Sequence, residues 1–257
     1  MRIDVHSYIG RWPYWPIPQS TPDEVLERMD HAGIDMAVVT STRSLFVDWR
    51  DGNAEASLAE AGHPGRFLAF ACVGPPEISH RLDANPFDLS KEPNVRGVRL
   101  APQFHTYHLL YEPFIDELCE QAAALGIPVQ LPLRVLMNWG MPMLDLGMMV
   151  AIVERHPKTP WILTGLNYFH ELRVGLALMR RFGAVHIETS CIQGFEAIAK
   201  VVQELGSDRI LLGTGLPLQN AAAGVRKIEH ARISDADREA ISAGNARRLL
   251  KLTEHYG

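Results

Sequence analysis

Cysteine is scarce in this chain: Cys72, Cys119 and Cys191 are the three among 257 residues. An odd number with no close pair excludes a disulfide framework and a zinc ribbon. Small buried apolar groups are the expected state of such cysteines. Cys191 sits just past a strand end, but the sequence places no histidine beside it to make it a nucleophile. Long apolar runs are also missing. The longest are strand-length, too short to span a bilayer. The start, Met1-Arg2-Ile3-Asp4-Val5-His6, has no extended apolar segment and no small-residue cleavage site, so it does not read as a signal peptide. Basic blocks are absent as well. Lys and Arg number 25 against 30 Asp and Glu, a net charge of −5, which argues against nucleic acid as a partner. The expectation is a soluble, cytoplasmic protein with neither membrane nor nucleic-acid partners.

What is present is alternation. Short, mostly β-branched runs recur at Ile3–His6, Met36–Thr40, Phe67–Val73, Gly97–Leu100, Ile127–Leu131, Trp161–Leu163, Ala184–Ile187 and Ile210–Leu212. Bounded by Gly, Pro or polar residues, they read as buried parallel strands. Helical segments lie between most of them. Thr21-Pro22-Asp23-Glu24 opens one with a capping box, and Gly33 ends it. Glu112–Leu125, Met143–Arg155, Glu171–Arg181, Gly194–Leu205 and Gln219–His230 continue the pattern. Eight strand–helix units predict an α/β fold, a closed (β/α)₈ TIM barrel, in a single domain over residues 1–257. An open doubly wound sheet is the alternative, disfavoured because no Gly-rich phosphate loop follows the first strand. Pro75 to Pro93 holds several prolines and little periodicity, so the third helix is expected to be short or missing.

Four stretches then carry a resemblance. They are Ile3-Asp4-Val5-His6-Ser7-Tyr8, Thr21 to Thr40, Arg209-Ile210-Leu211-Leu212-Gly213-Thr214-Gly215-Leu216-Pro217, and Gly244-Asn245-Ala246-Arg247-Arg248-Leu249-Leu250. In this order they resemble the amidohydrolase superfamily, in the branch of aminocarboxymuconate-semialdehyde decarboxylase. That resemblance implies a divalent metal, usually zinc. Its ligands would be a His-x-His on the first strand, histidines on the fifth and sixth, and an aspartate on the eighth. Residues two apart on a strand face the same side, which is why His-x-His serves a barrel mouth. This chain keeps His6 but has Tyr8, Pro132, Gly165 and Gly215 at the other positions. The expectation is therefore that the metal is lost and no cofactor is used.

Barrel chemistry sits at the C-terminal ends of the strands. Those ends supply His6, Tyr8, Glu188 and His170 as candidate catalytic residues. Arg99, Arg134, Gln103, Asn138, Asn167 and Trp12 are candidates for binding substrate. Trp12 belongs to the loop Arg11–Pro18, which reads equally as a rigid Pro-rich cover and as an aromatic wall. His105, Tyr107 and His108 are expected to line the entrance. The arginines weigh most, because a guanidinium inside a closed barrel needs an anionic partner. That partner is a substrate carboxylate or phosphate, or else Glu188 or Asp4 in an internal ion pair. The reading is a metal-independent hydrolase acting on a small carboxylated substrate, by lactone hydrolysis or isomerisation, or hydration. The alternatives are a non-catalytic binding paralogue, or a metal-dependent hydrolase or decarboxylase with an unorthodox site. A homodimer is the assembly that analogy suggests.

Overall fold

The computed structural model describes residues 1–13, 16–18, 20–76, 85–135, 142–167 and 170–252. Its strands are β1 (Ile3–Ile9), β2 (Met36–Ser41), β3 (Phe67–Ala69), β4 (Ala71–Val73), β5 (Val98–Leu100), β6 (Val129–Pro132), β7 (Trp161–Thr164), β8 (Val185–Glu188) and β9 (Ile210–Leu211). All neighbouring pairs are parallel. β3 and β4 flank Phe70 and together act as the third barrel strand. The Phe70 amide donates to Val39 O, while the Ala71 amide donates to Gly97 O on the other side. The last strand returns to the first: Val5 N donates to Leu212 O, Gly215 N to His6 O and Tyr8 N to Leu216 O. Eight strands thus close into the (β/α)₈ barrel. Every residue of β1, β2 and β7 is buried, because helices cover one face and the interior fills the other.

The outer helices follow the local signals. α1 (Pro22–Ala32) carries the capping box between Thr21 and Glu24 and ends at Gly33 with φ +67°. α2 (Thr42–Phe46) and α3 (Trp49–Gly62) form the second crossing, where the sequence reading named no helix. The buried face of α3 is Gly52, Ala56 and Ala59, too small to show as hydrophobic periodicity. In the third crossing the described residues give one 3₁₀ turn, Leu89–Lys91, in line with the weak third helix. Then follow α4 (Pro102–His105), α5 (Pro113–Leu125), α6 (Leu146–Arg155), α7 (His170–Arg181), α8 (Ala197–Leu205), α9 (Ala221–Glu229), α10 (Asp235–Glu239), a π-helical turn Ala240–Gly244 and α11 (Asn245–Leu249). No helix among the described residues is long and apolar enough to cross a membrane.

The barrel interior is divided by depth. Its lower half is apolar: Val5, Met36, Val38, Leu68, Phe70 and Ile162 pack together, plugged from below by Ala243, Ala246 and Leu250. Asn245 is buried beneath and donates to Ser207 O and Ile210 O, a structural role. Among the described residues, His6, Tyr8, Arg99 and Glu188 are buried outside this apolar cluster.

Candidate active site

β1 positions the centre of the site. Its register against β2 slips between Asp4 and Ser7 by one residue, a β-bulge. Gln130 on β6, across the barrel, donates to the Val5 carbonyl at 3.0 Å and so anchors the bulge. Beyond it, His6 and Tyr8 share the inner face, as alternation requires. Both are fully buried. His6 Nε2 lies 2.9 Å from the Tyr8 hydroxyl. His6 Nδ1 lies 3.2 Å from Glu188 Oε1 on β8 and 3.2 Å from Ser190 Oγ.

Glu188 is held from every side. Gly165 N donates to it at 2.9 Å, Ser190 N at 2.5 Å and Ser190 Oγ at 2.8 Å. The nearest strand neighbour must be glycine, since a Cβ on Gly213 would lie 2.0 Å from Glu188 Oε2. Burial alone would raise this carboxyl. The His6 charge and hydrogen bond, with the Gly165 and Ser190 donors, outweigh burial and hold it down to about 2. Glu188 is therefore an ionised acceptor and a poor general base. Its partner is His6, not an arginine. A carboxylate facing Nδ1 puts the proton on that nitrogen. In the neutral imidazole, Nε2 then accepts from Tyr8. In the imidazolium it donates instead, and the tyrosine proton is turned outward. Burial pushes the Tyr8 hydroxyl up to about 12, with the Arg99 charge pulling the other way, so Tyr8 stays a proton donor at neutral pH.

Arg99 on β5 is completely buried. Its guanidinium carbon sits 4.5 Å from the centre of the Tyr8 ring. None of its three nitrogens has a hydrogen-bond partner among the described residues. Neither internal ion pair considered for it forms: Glu188 is taken by His6, and Asp4 accepts from Ser7 Oγ at 2.6 Å, from Thr214 N at 3.0 Å and from the Thr214 hydroxyl. The unpartnered buried side-chain oxygens include Thr40 Oγ1, Gln130 Oε1 and Thr164 Oγ1. They share Arg99's inner face by strand register and alternation. Beside it runs an aromatic wall: Tyr8, Trp12, Phe46 and Phe104 follow edge to face at 5.8, 5.4 and 5.1 Å between ring centres.

The other sequence candidates are dispersed. Arg134 is ion-paired to Glu171 in the first turn of α7, a partner the sequence reading did not consider. Gln103 donates from Nε2 to Pro132 O at 3.1 Å, and its Oε1 has no partner among the described residues. Asn167 is half-buried, with its amide donating to Glu171 Oε2 at 2.8 Å. His170 begins α7 and is exposed, outside the buried cluster. Asn138 lies outside the described residues. Of the loop trio, His105 is tied to Ser44 O at 2.8 Å, Tyr107 is buried and His108 is exposed. Cys191 is buried, and burial raises its thiol to about 11, which removes it as a nucleophile. Ser190 was missed, although its position two residues beyond Glu188 could have revealed it. Gln130, Thr40 and Thr164 were also missed, because a single polar residue on an apolar strand gives no sign of its partner.

The sequence model of the amidohydrolase family matches residues 3–252. A γ-resorcylate decarboxylase from Polaromonas sp. (strain JS666 / ATCC BAA-500) is 39% identical over 102 residues, 40% of this chain and 28% of the relative's length. The fold is similar to a 2,6-dihydroxybenzoate decarboxylase solved with 2,6-dihydroxybenzoate (TM-score 0.74, 19% identity, 98% of this chain and 99% of the other). It is similar also to a dihydroxybenzoic acid decarboxylase from Polaromonas sp. JS666 with bound manganese and 2-nitroresorcinol (TM-score 0.71, 17% identity, 99% and 98%). These findings overturn the expectation that no metal is used. A solved relative of the same fold holds manganese, so the residues at Tyr8, Pro132, Gly165 and Gly215 do not establish metal independence. The relatives of stated activity are decarboxylases, not lactone hydrolases. Among the described residues the donors clustered at the mouth are His6 and Glu188, already engaged with each other. Among the described residues no group of three or more His, Cys, Asp or Glu could hold an ion. A catalytic site takes about three protein ligands, so this set does not by itself fit a divalent cation, and no step is derived through one. The match along almost the whole sequence is independent of that question: the chain belongs to the amidohydrolase family.

Proposed function

We propose that the protein is a lyase that removes carbon dioxide from a small aromatic hydroxycarboxylate. The observation that carries this reading is Arg99, a fully buried guanidinium whose nitrogens lack hydrogen-bond partners among the described residues. An unpaired buried charge costs several kcal/mol, and a substrate carboxylate offsets that cost with charge-assisted hydrogen bonds. The aromatic wall beside it suits a flat ring. The Thr40 and Thr164 hydroxyls suit ring hydroxyl groups. The decarboxylases to which the chain is similar support the reaction class.

In decarboxylation the bond from the ring to the carboxyl carbon breaks. Its electron pair stays on the ring carbon, which takes a proton as carbon dioxide leaves. Arg99 binds and orients the carboxylate. That contact exists in the ground state, so it serves affinity more than rate. The proton comes from the Tyr8 hydroxyl, which His6 reprotonates. Glu188 holds His6 in the required tautomer and stabilises its charged form. The site lies at the C-terminal strand ends, where the aromatic wall beside it shields the ring carbon from water.

The test is carbon dioxide release from 2,6-dihydroxybenzoate and other hydroxybenzoates, with manganese supplied because a similar solved protein holds it. Release by the native protein, and its loss in Arg99→Met, is the expected result. Hydroxybenzoates that neither bind nor release carbon dioxide would refute the reading.

A further inference from the structure

Alternation sorts the side chains of β5 and β6. Val98, Leu100, Val129 and Leu131 pack outward into the core beneath the helices. Arg99 and Gln130, which lie between them, therefore face the barrel interior. The two are partners in the β5–β6 register, so their side chains rise next to each other from one face of the sheet. Both residues are fully buried. Their polar ends do not satisfy each other: the three Arg99 nitrogens and Gln130 Oε1 all lack a hydrogen-bond partner among the described residues.

The orientation of the Gln130 amide is fixed by its nitrogen. That end lies 3.0 Å from the Val5 carbonyl oxygen, where only an NH₂ group can make a hydrogen bond. The side-chain oxygen is thereby committed to the opposite side, as an acceptor that cannot become a donor. Thr40 Oγ1 and Thr164 Oγ1 share this inner face and also lack partners among the described residues. Their hydroxyls can donate or accept, so they tolerate either kind of substituent. Gln130 does not. Resting on the carboxylate site proposed above, we propose that Gln130 is a specificity-determining residue. Its side-chain oxygen accepts a hydrogen bond from a hydroxyl or amino group on the substrate, near the carboxylate held by Arg99. A ligand with both an anion and a donor satisfies both side chains at once. A ligand with the anion alone leaves a buried acceptor unpaired, which a site built for that hydrogen bond penalises.

The test is calorimetric binding of 2-hydroxybenzoate and 3-hydroxybenzoate, each against its fluoro counterpart. Fluorine is close to a hydroxyl in size but has no proton to donate. The native protein is expected to bind at least one of the hydroxybenzoates about tenfold more tightly than its counterpart, a gap of about 1.4 kcal/mol. Gln130→Met removes the acceptor and is expected to shrink that ratio about tenfold. A residue that only braced β1 would weaken both members of a pair alike and leave the ratio unchanged. Should Gln130→Met fail to fold, Gln130→Glu supplies the check, since a carboxylate beside Arg99 is expected to weaken every probe by about tenfold. The role of Gln130 is overturned by no native preference for the hydroxyl at either position, by an unchanged ratio in folded Gln130→Met, or by undiminished affinity for the probes in Gln130→Glu. Each of these leaves the carboxylate site standing. Binding of no probe to the native protein overturns the proposed function together with this inference.

Discussion

Replacing Arg99 by methionine should stabilise the protein while abolishing its function. The guanidinium is fully buried and its nitrogens are unpartnered among the described residues. Effective desolvation costs several kcal/mol per buried ion. The stacking on Tyr8 at 4.5 Å returns about 2 kcal/mol when dry. Methionine fills a similar volume without charge, so the net gain is on the order of 1–4 kcal/mol. For a chain of this size, each kcal/mol moves the melting temperature by about 2–4 °C. A rise of roughly 5 °C in the ligand-free protein is therefore expected. Ligand should act in the opposite way. A carboxylate at a hundred times its Kd stabilises the native protein by about 2.7 kcal/mol. In Arg99→Met the affinity falls by about 2–5 kcal/mol, the cost of losing a buried charge partner, and the same concentration should stabilise the variant by no more than about 1 kcal/mol. Differential scanning calorimetry with and without 2,6-dihydroxybenzoate measures both effects. A lower melting temperature together with undiminished ligand stabilisation would refute the reasoning, because Arg99 would then be a structural residue.

Tyr8→Phe and His6→Asn should each lower kcat by about 10²–10⁴-fold with little change in KM, as expected for proton transfer made only in the transition state. Equal turnover in folded variants would move the proton elsewhere. Glu188 gives a pH signature. Its carboxyl is depressed from 4.5 to about 2 in the fold, so its stabilisation is full above pH ~4.5 and is lost as pH falls towards ~2. Glu188→Gln should be less stable at neutral pH and should show less further loss through that window, read from denaturation midpoints at stepped pH. Gly165→Ala should cost about 2–4 kcal/mol, since φ is +73° there and the new Cβ would strike the Arg134 carbonyl. An unchanged urea midpoint would show that the backbone relaxes freely.

The barrel was legible because its signals are local. Alternating apolar runs, the Thr21–Glu24 capping box and the glycines at Gly33 and Gly126 each act within a few residues. The shared face of His6 and Tyr8 also follows from strand alternation alone. The second crossing was not legible, because α3 packs on glycine and alanine, with Gly52 pressed against Ser44. Absent ligand positions misled the reading on the metal, because a sequence shows which residues are missing but not which chemistry the fold retains.

Sequence alone determined the closed barrel, the strand ends that bear the chemistry and the two arginines worth examining. The tertiary structure decided what each charge does. Arg134 meets a glutamate 37 positions away, Glu188 closes on His6 from the far end of the chain, and Gln130 braces β1 across 125 residues. Arg99 meets no anion among the described residues. The physical reason is that secondary structure depends on neighbours along the chain. The pairing of a buried charge depends instead on which side chains the folded interior brings within about 4 Å of it.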